Sequence, residues 1–144
     1  MIEPTTRQIQ LILPGSIRSK KNSKQAIMIG GKNCPRRPMI VPSKAYQAWE
    51  TESRKEVMLK LPFAFKPFQG PVHVTAMIYF SGPKPDLSGC LESVGDCLQG
   101  LVWEDDGQIE SWDGSRVIHD KANPRTVVEI RELDVMPLFS RGRS

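Results

Sequence analysis

Residues 72–80 read Val72-His73-Val74-Thr75-Ala76-Met77-Ile78-Tyr79-Phe80, with an apolar side chain at every second position. Successive side chains of a β-strand point to opposite faces of a sheet, so this alternation predicts a strand with one face in a core. After a turn, four apolar residues recur at helical spacing: Leu87, Leu91, Val94 and Leu98. This spacing predicts a helix over residues 89–98 that packs on the sheet.

Further elements are predicted on both sides of this stretch. Alternation predicts a strand over residues 7–13, and two short strands at 26–29 and 39–41 enclose a basic loop. A helix is predicted after Pro42, with Ser43 as its N-cap, and closing strands at 108–112 and 126–133. The order β, ββ, α, β, α, β, β predicts an α+β fold, with a mixed or antiparallel sheet and two helices packed on it.

Length and composition narrow the class of protein. The 144 residues predict one domain over residues 1–136, followed by a flexible basic tail at 137–144. The net charge of +4 favours a polyanionic partner such as nucleic acid. Three cysteines without a C-x-x-C pair argue against a disulfide framework and a structural zinc site. No apolar run resembles a signal peptide or membrane span, so we expect a cytoplasmic protein with no membrane association.

The segment from residue 86 to residue 109 is unusually acidic for a basic chain. Its acidic residues are Asp86, Glu92, Asp96, Glu104, Asp105 and Asp106. Carboxylates that lie close together repel one another unless a cation neutralises them, and Mg²⁺ prefers such oxygen ligands. Asp86 lies between the predicted strand and helix, and Asp105-Asp106 precedes the next strand. These groups meet if that strand pairs near the end of residues 72–80.

The same acidic residues have a structural alternative. Asp86 and Ser88 are suitable caps for the predicted helix, and Asp105-Asp106-Gly107 is a suitable turn. Glu92 and Asp96 fall on the side of the helix opposite its leucines, as expected for a solvated face. Spacing alone leaves both interpretations open.

The order of these motifs resembles the RusA family of Holliday junction resolvases, small dimeric Mg²⁺-dependent endonucleases. That family carries Asp-x-Asp-Asn, a Lys four residues after the second Asp, Asp-Ala-Leu further along the helix, and then Asp-Asp-x-Gln-Ile. This chain has Asp86 at the first position, then Asp96-Cys97-Leu98, and then Asp105-Asp106-Gly107-Gln108-Ile109. The basic stretch 19–24 and the ending at 123–130 are also similar, so the resemblance covers roughly residues 10–133.

The chain departs from the family pattern at three positions. Ser88 occupies the position of the family's second catalytic Asp, Gly89 that of the Asn that follows it, and Glu92 that of the catalytic Lys. The resemblance implies that Asp86 and Asp106 are the principal Mg²⁺ ligands and that Asp105 and Asp96 assist. It also places Ser88 and Glu92 at altered catalytic positions, with Glu92 as a replacement carboxylate.

The resemblance implies a DNA-binding surface and a symmetric assembly. The predicted DNA-binding residues are Lys20, Lys21, Asn22, Lys24, Lys32, Arg36 and Arg37. A homodimer would present two active sites to a four-way junction and make paired nicks. We therefore expect a Mg²⁺-dependent endodeoxyribonuclease that resolves Holliday junctions. The first alternative is a non-catalytic junction-binding protein with a degenerate site, and the second is a small basic protein that binds a protein partner.

Overall fold

The computed structural model describes residues 7–19 and 24–133. Its strands and helices, in chain order, are β1 (Gln8–Pro14), β2 (Lys24–Gly31), β3 (Cys34–Pro42), α1 (Lys44–Lys60), β4 (Val72–Phe80), α2 (Leu87–Leu98), β5 (Ile109–Ser111), β6 (Arg116–His119) and β7 (Arg125–Glu132). A short 3₁₀ turn, Asp106–Gln108, precedes β5. The α+β prediction is confirmed. The predicted tail at 137–144 lies outside the described residues, and the single-domain assignment stays a prediction.

The main sheet is mixed, and β4 is at its centre. β7 pairs antiparallel with one edge of β4 and with β1 on its own other edge, which gives the order β1-β7-β4. The second edge of β4 is shared by two short parallel strands, β5 near its start and β6 near its end. The sequence prediction missed β6, because four residues are too few for a period of two to be recognised.

One face of this sheet forms the core. In β4, Val72, Val74, Ala76 and Ile78 are all fully buried, as the alternation predicts. In the adjacent strand, Val128 lies opposite Ala76 and continues the same buried face. Residues from both helices complete the core: Tyr46, Trp49 and Val57 from α1, and Cys90, Val94, Cys97 and Leu98 from α2. Removal of this apolar surface from water stabilises the fold by about 25 cal/mol per Å².

Both helices begin at side-chain caps. Ser43 Oγ accepts a hydrogen bond of 3.1 Å from the Tyr46 N–H, which confirms the predicted cap of α1. Asp86 Oδ2 accepts one of 3.0 Å from the Gly89 N–H, so α2 begins at Leu87, two residues before its predicted start. Among the described residues, neither helix has the length and apolar character needed to cross a membrane.

Candidate active site

The outer face of α2 lines a cavity that contains three of the predicted site residues, Ser88, Glu92 and Asp106. Ser88, Glu92 and Gly95 are separated by four and three positions, so they lie on one helix face. That face, together with Leu91 and the following segment, encloses the cavity lined by Ser88, Leu91, Glu92, Gly95, Asp106, Ile109 and Trp112. The structure therefore brings Ser88, Glu92 and Asp106 to one opening on the protein surface.

Asp106 approaches α2 at the one position of this face that has no side chain. A Cβ built on Gly95 would lie 3.7 Å from Asp106 Cβ and 4.0 Å from its Oδ2. Asp106 therefore lies where a side chain at position 95 would be in van der Waals contact with it, one turn along from Glu92. The carboxylates of residues 92 and 106 therefore face the same cavity from two different elements.

Two glutamine side chains bind the backbone of the acidic loop, residues 104–106. Gln108 Oε1 accepts hydrogen bonds of 2.9 Å from the N–H groups of Glu104 and Asp105. Gln108 Nε2 donates to the carbonyl oxygens of Phe68, at 2.8 Å, and Gly70, at 2.9 Å. These bonds attach the loop to the segment that leads into β4.

The second glutamine is at the end of α2. Gln99 Oε1 accepts a hydrogen bond of 2.9 Å from the Asp106 N–H. Arg54 on α1 holds the same end of the helix, because its Nη1 donates to the carbonyl oxygens of Cys97, at 2.7 Å, and Gln99, at 3.2 Å. Neither Gln99 nor Arg54 belongs to a predicted motif, because no local sequence pattern signals either contact.

Trp103 stands directly before the acidic loop and is fully buried. Its Nε1 donates to the Gly95 carbonyl oxygen at 3.3 Å. Trp103 is therefore a core residue that packs beneath the cavity.

Asp86 lies at the opposite end of α2 from Asp106. The sequence predicts that Asp86 and Asp106 meet if β5 pairs near the end of β4. In the structure, β5 pairs with the start of β4, through Ile109 and Val72, so this condition is not met. Nine residue steps of 1.5 Å each place Gly95 about 13.5 Å from Asp86 along the helix axis. Asp86 lines a different cavity, with residues 16–19, 80–81 and 83–85. Ser88 connects the two cavities, because its Oγ donates to Asp86 Oδ2 at 3.1 Å.

Asp96 and Asp105 differ from Asp106 in their surroundings. Burial and then the Glu50 carboxylate raise the pKa of Tyr46 above its usual range, and Asp96 adds to this effect. The Asp96 carboxylate also contributes to raising the pKa of Cys97, so the Asp96 charge acts on groups at the side of α2 that faces α1. Asp105 is exposed on the acidic loop. Neither residue lines the cavity that contains Asp106.

The oxygen donors at this cavity suit a hard divalent cation that shares its coordination with other ligands. Within residues 7–19 and 24–133, no three side chains of the metal-binding types His, Cys, Asp and Glu come together. Mg²⁺ commonly takes only one or two protein carboxylates and completes its shell with water and substrate phosphate. Glu92 and Asp106 supply two carboxylates and Ser88 a hydroxyl, so the residues present fit an ion of this kind.

The predicted DNA-binding residues fall partly on the hairpin of β2 and β3, which form a separate two-stranded sheet. Lys32 is at its turn, and the neighbouring Arg36 and Arg37 are on β3, so their side chains point to opposite faces. All three are exposed. Lys20, Lys21, Asn22 and the side chain of Lys24 lie outside the described residues.

Comparison with known proteins identifies one family. The model of the family described as endodeoxyribonuclease RusA matches residues 14–131, from the end of β1 into β7. No curated protein matches the chain. The match covers the helix, the acidic loop and the hairpin described above.

Proposed function

Because the chain belongs to the RusA family of endodeoxyribonucleases, we propose that it cleaves four-way DNA junctions in a Mg²⁺-dependent reaction. Membership in this family implies the role of a Holliday junction nuclease, and family members generally depend on a divalent metal. The observation that carries the proposal for this chain is the cavity lined by Ser88, Glu92 and Asp106. It offers hard oxygen donors on an open surface of the protein.

In this proposal, Glu92 and Asp106 are the carboxylates that hold the cation. A bound Mg²⁺ lowers the pKa of a coordinated water and stabilises negative charge on the phosphate. Ser88 offers a neutral oxygen and holds Asp86 Oδ2 through its hydroxyl. Asp86 then serves as helix cap and supports Ser88 from behind the cavity.

The remaining acids act through their charge. Asp96 and Asp105 add negative potential around the cavity without lining it. The Lys that the family pattern places at residue 92 is replaced by an acid, so a cation at the site has one more carboxylate and one less competing positive charge. The replacement favours cation binding but removes a group that would stabilise the charge at phosphorus.

The basic hairpin is proposed to bind the DNA backbone. A two-stranded ribbon fits the major groove of DNA, and cations at its turn and on both faces can reach phosphates on either side. Lys32, Arg36 and Arg37 supply these charges here, and the proposal also assigns Lys20, Lys21, Asn22 and Lys24 to DNA binding from the sequence. We propose that a homodimer, acting in the cytoplasm, presents two such surfaces to the junction and nicks two strands.

The test is cleavage of a labelled four-way junction, with and without Mg²⁺, by the wild type and three variants. We expect paired, Mg²⁺-dependent nicks from the wild type, and their loss in Asp106→Asn and Glu92→Gln. Glu110→Gln removes an exposed acid of β5 outside the cavity and should retain activity. Tight junction binding without cleavage by the wild type would favour a non-catalytic junction-binding protein. Equal affinity for junction and linear duplex would exclude both the junction nuclease and the junction-binding protein.

One further variant distinguishes the role of Glu92. Glu92→Lys restores the family pattern at this position. If Glu92 is a metal ligand, Glu92→Lys loses activity as Glu92→Gln does. A gain of activity in Glu92→Lys would show that the site needs the lysine and that Glu92 binds no cation.

A further inference from the structure

We propose that Gln99 and Gln108 are positioning residues that leave the Asp106 carboxylate available for the cation. This inference rests on the proposed function and adds two residues to it. Their side-chain oxygens accept the N–H groups of three consecutive residues, Glu104, Asp105 and Asp106, each at 2.9 Å. No other pair of side chains in the described chain is shown to bind the acidic loop in this way.

Asp side chains commonly accept hydrogen bonds from nearby backbone N–H groups, which is why they favour turns and helix caps. A carboxylate engaged in this way is less available to a cation. In the acidic loop, two neutral amide oxygens occupy the backbone donors of residues 104–106. The carboxylate that binds the backbone there is that of Asp105, in a capping box with Gln108, and not that of Asp106.

The hydrogen bonds of Gln108 use the whole capacity of its side chain. A glutamine amide offers two donor hydrogens and two acceptor lone pairs. Gln108 accepts from two N–H groups and donates to Phe68 O and Gly70 O, at 2.8 and 2.9 Å. Only an amide can do both, because a carboxylate at this position would face two carbonyl oxygens without hydrogens to donate.

The result is an acidic loop held from two directions. Gln108 attaches it to the segment before β4, and Gln99 attaches Asp106 itself to the end of α2. Asp106 is thereby kept against Gly95, one helical turn from Glu92. Within the described residues, no hydrogen bond to the Asp106 carboxylate competes with a cation.

The test uses Gln99→Met and Gln108→Met, which keep side-chain length but cannot form these hydrogen bonds. Gln69→Met is the matched control, because Gln69 Nε2 donates at 3.3 Å to the Glu104 side chain and leaves the loop backbone untouched. Three quantities are measured: Mn²⁺ binding without DNA by electron paramagnetic resonance, the Mg²⁺ concentration for half-maximal junction cleavage, and kcat and KM for the junction.

We expect Gln99→Met and Gln108→Met to weaken cation binding by about 10- to 100-fold, as is typical when groups that orient metal ligands are removed. KM for the junction should stay within about twofold, because the hairpin is unchanged, and Gln69→Met should match the wild type. Gln99 is exposed, so its variant should fold even if Gln108→Met does not.

Two results would overturn the inference in different ways. If both variants are less stable but retain wild-type Mn²⁺ affinity and kcat, the glutamines support only the fold. If the wild type itself neither binds Mn²⁺ nor cleaves the junction, the proposed function fails and the inference fails with it.

Discussion

Arg54→Met should destabilise the protein by about 2–3 kcal/mol, because it removes the cation that holds the end of α2. Arg54 Nη1 donates to Cys97 O at 2.7 Å, in a partly buried contact, and to Gln99 O at 3.2 Å, in an exposed one. A hydrogen bond to a charged group contributes about 1.5–3 kcal/mol, and a cation near a helix C-terminus about 0.3–1 kcal/mol. We give the longer, exposed bond little weight.

The assay is urea denaturation followed by circular dichroism, with thermal unfolding alongside it. For a domain of this size, about 3–5 °C of melting temperature corresponds to each kcal/mol, so Arg54→Met should melt about 10 °C below the wild type. Arg54→Lys should be intermediate, since lysine keeps the charge but lacks the planar fork of donors.

Lys55→Met is the matched control. It removes the same charge from the neighbouring, exposed position of α1, and we expect a change within about 0.5 kcal/mol. Equal effects of Arg54→Met and Lys55→Met would refute the reasoning, because they would show that the two carbonyl contacts contribute nothing beyond general charge.

Three other predictions follow from burial and backbone geometry. Trp103→Ala should lower the free energy of unfolding by about 3–5 kcal/mol in urea denaturation, and Trp103→Phe by clearly less; equal losses would contradict the core assignment. Gly30→Ala should weaken junction binding roughly tenfold in a mobility-shift assay, because it distorts the basic hairpin: φ is +93°, and the new Cβ would collide with the Pro35 backbone oxygen of β3. Unchanged binding would argue against a role for the hairpin. Of the three cysteines, only Cys34 should react with Ellman's reagent at pH 8, because it is exposed, whereas burial is the main cause that raises the pKa of Cys90 to about 11 and of Cys97 to about 12. Rapid reaction of all three thiols in the native protein would contradict this.

The elements with a clear period could be predicted from the sequence. The alternation of residues 72–80 and the helical spacing from Leu87 to Leu98 both correspond to elements of the structure. β6 could not, because it is short, and its parallel pairing depends on β4 being in place. The register of β5 was also inaccessible, since a strand of three residues can pair at either end of a longer one.

The candidate site shows the same division. Ser88, Glu92 and Asp106 could be selected from motif order, and they line one cavity. The separation of Asp86 from Asp106 could not be predicted, because it follows from where β5 pairs. Arg54 contacts the end of α2 from 43 residues earlier in the chain, and only the packing of α1 against α2 makes that contact.

The position of β7 between β1 and β4 has a consequence for synthesis of the protein. Of the described strands it is made last, yet it supplies the hydrogen-bonded neighbour of the first strand and of the central one. While the ribosome is still translating residues before Arg125, β1 has no partner in the main sheet and one edge of β4 is open. The nascent chain therefore cannot complete its sheet in stages, and closure waits for a pairing between distant parts of the chain, which is intrinsically slow. A product truncated before β7 would expose two strand edges and aggregate rather than fold into a smaller domain.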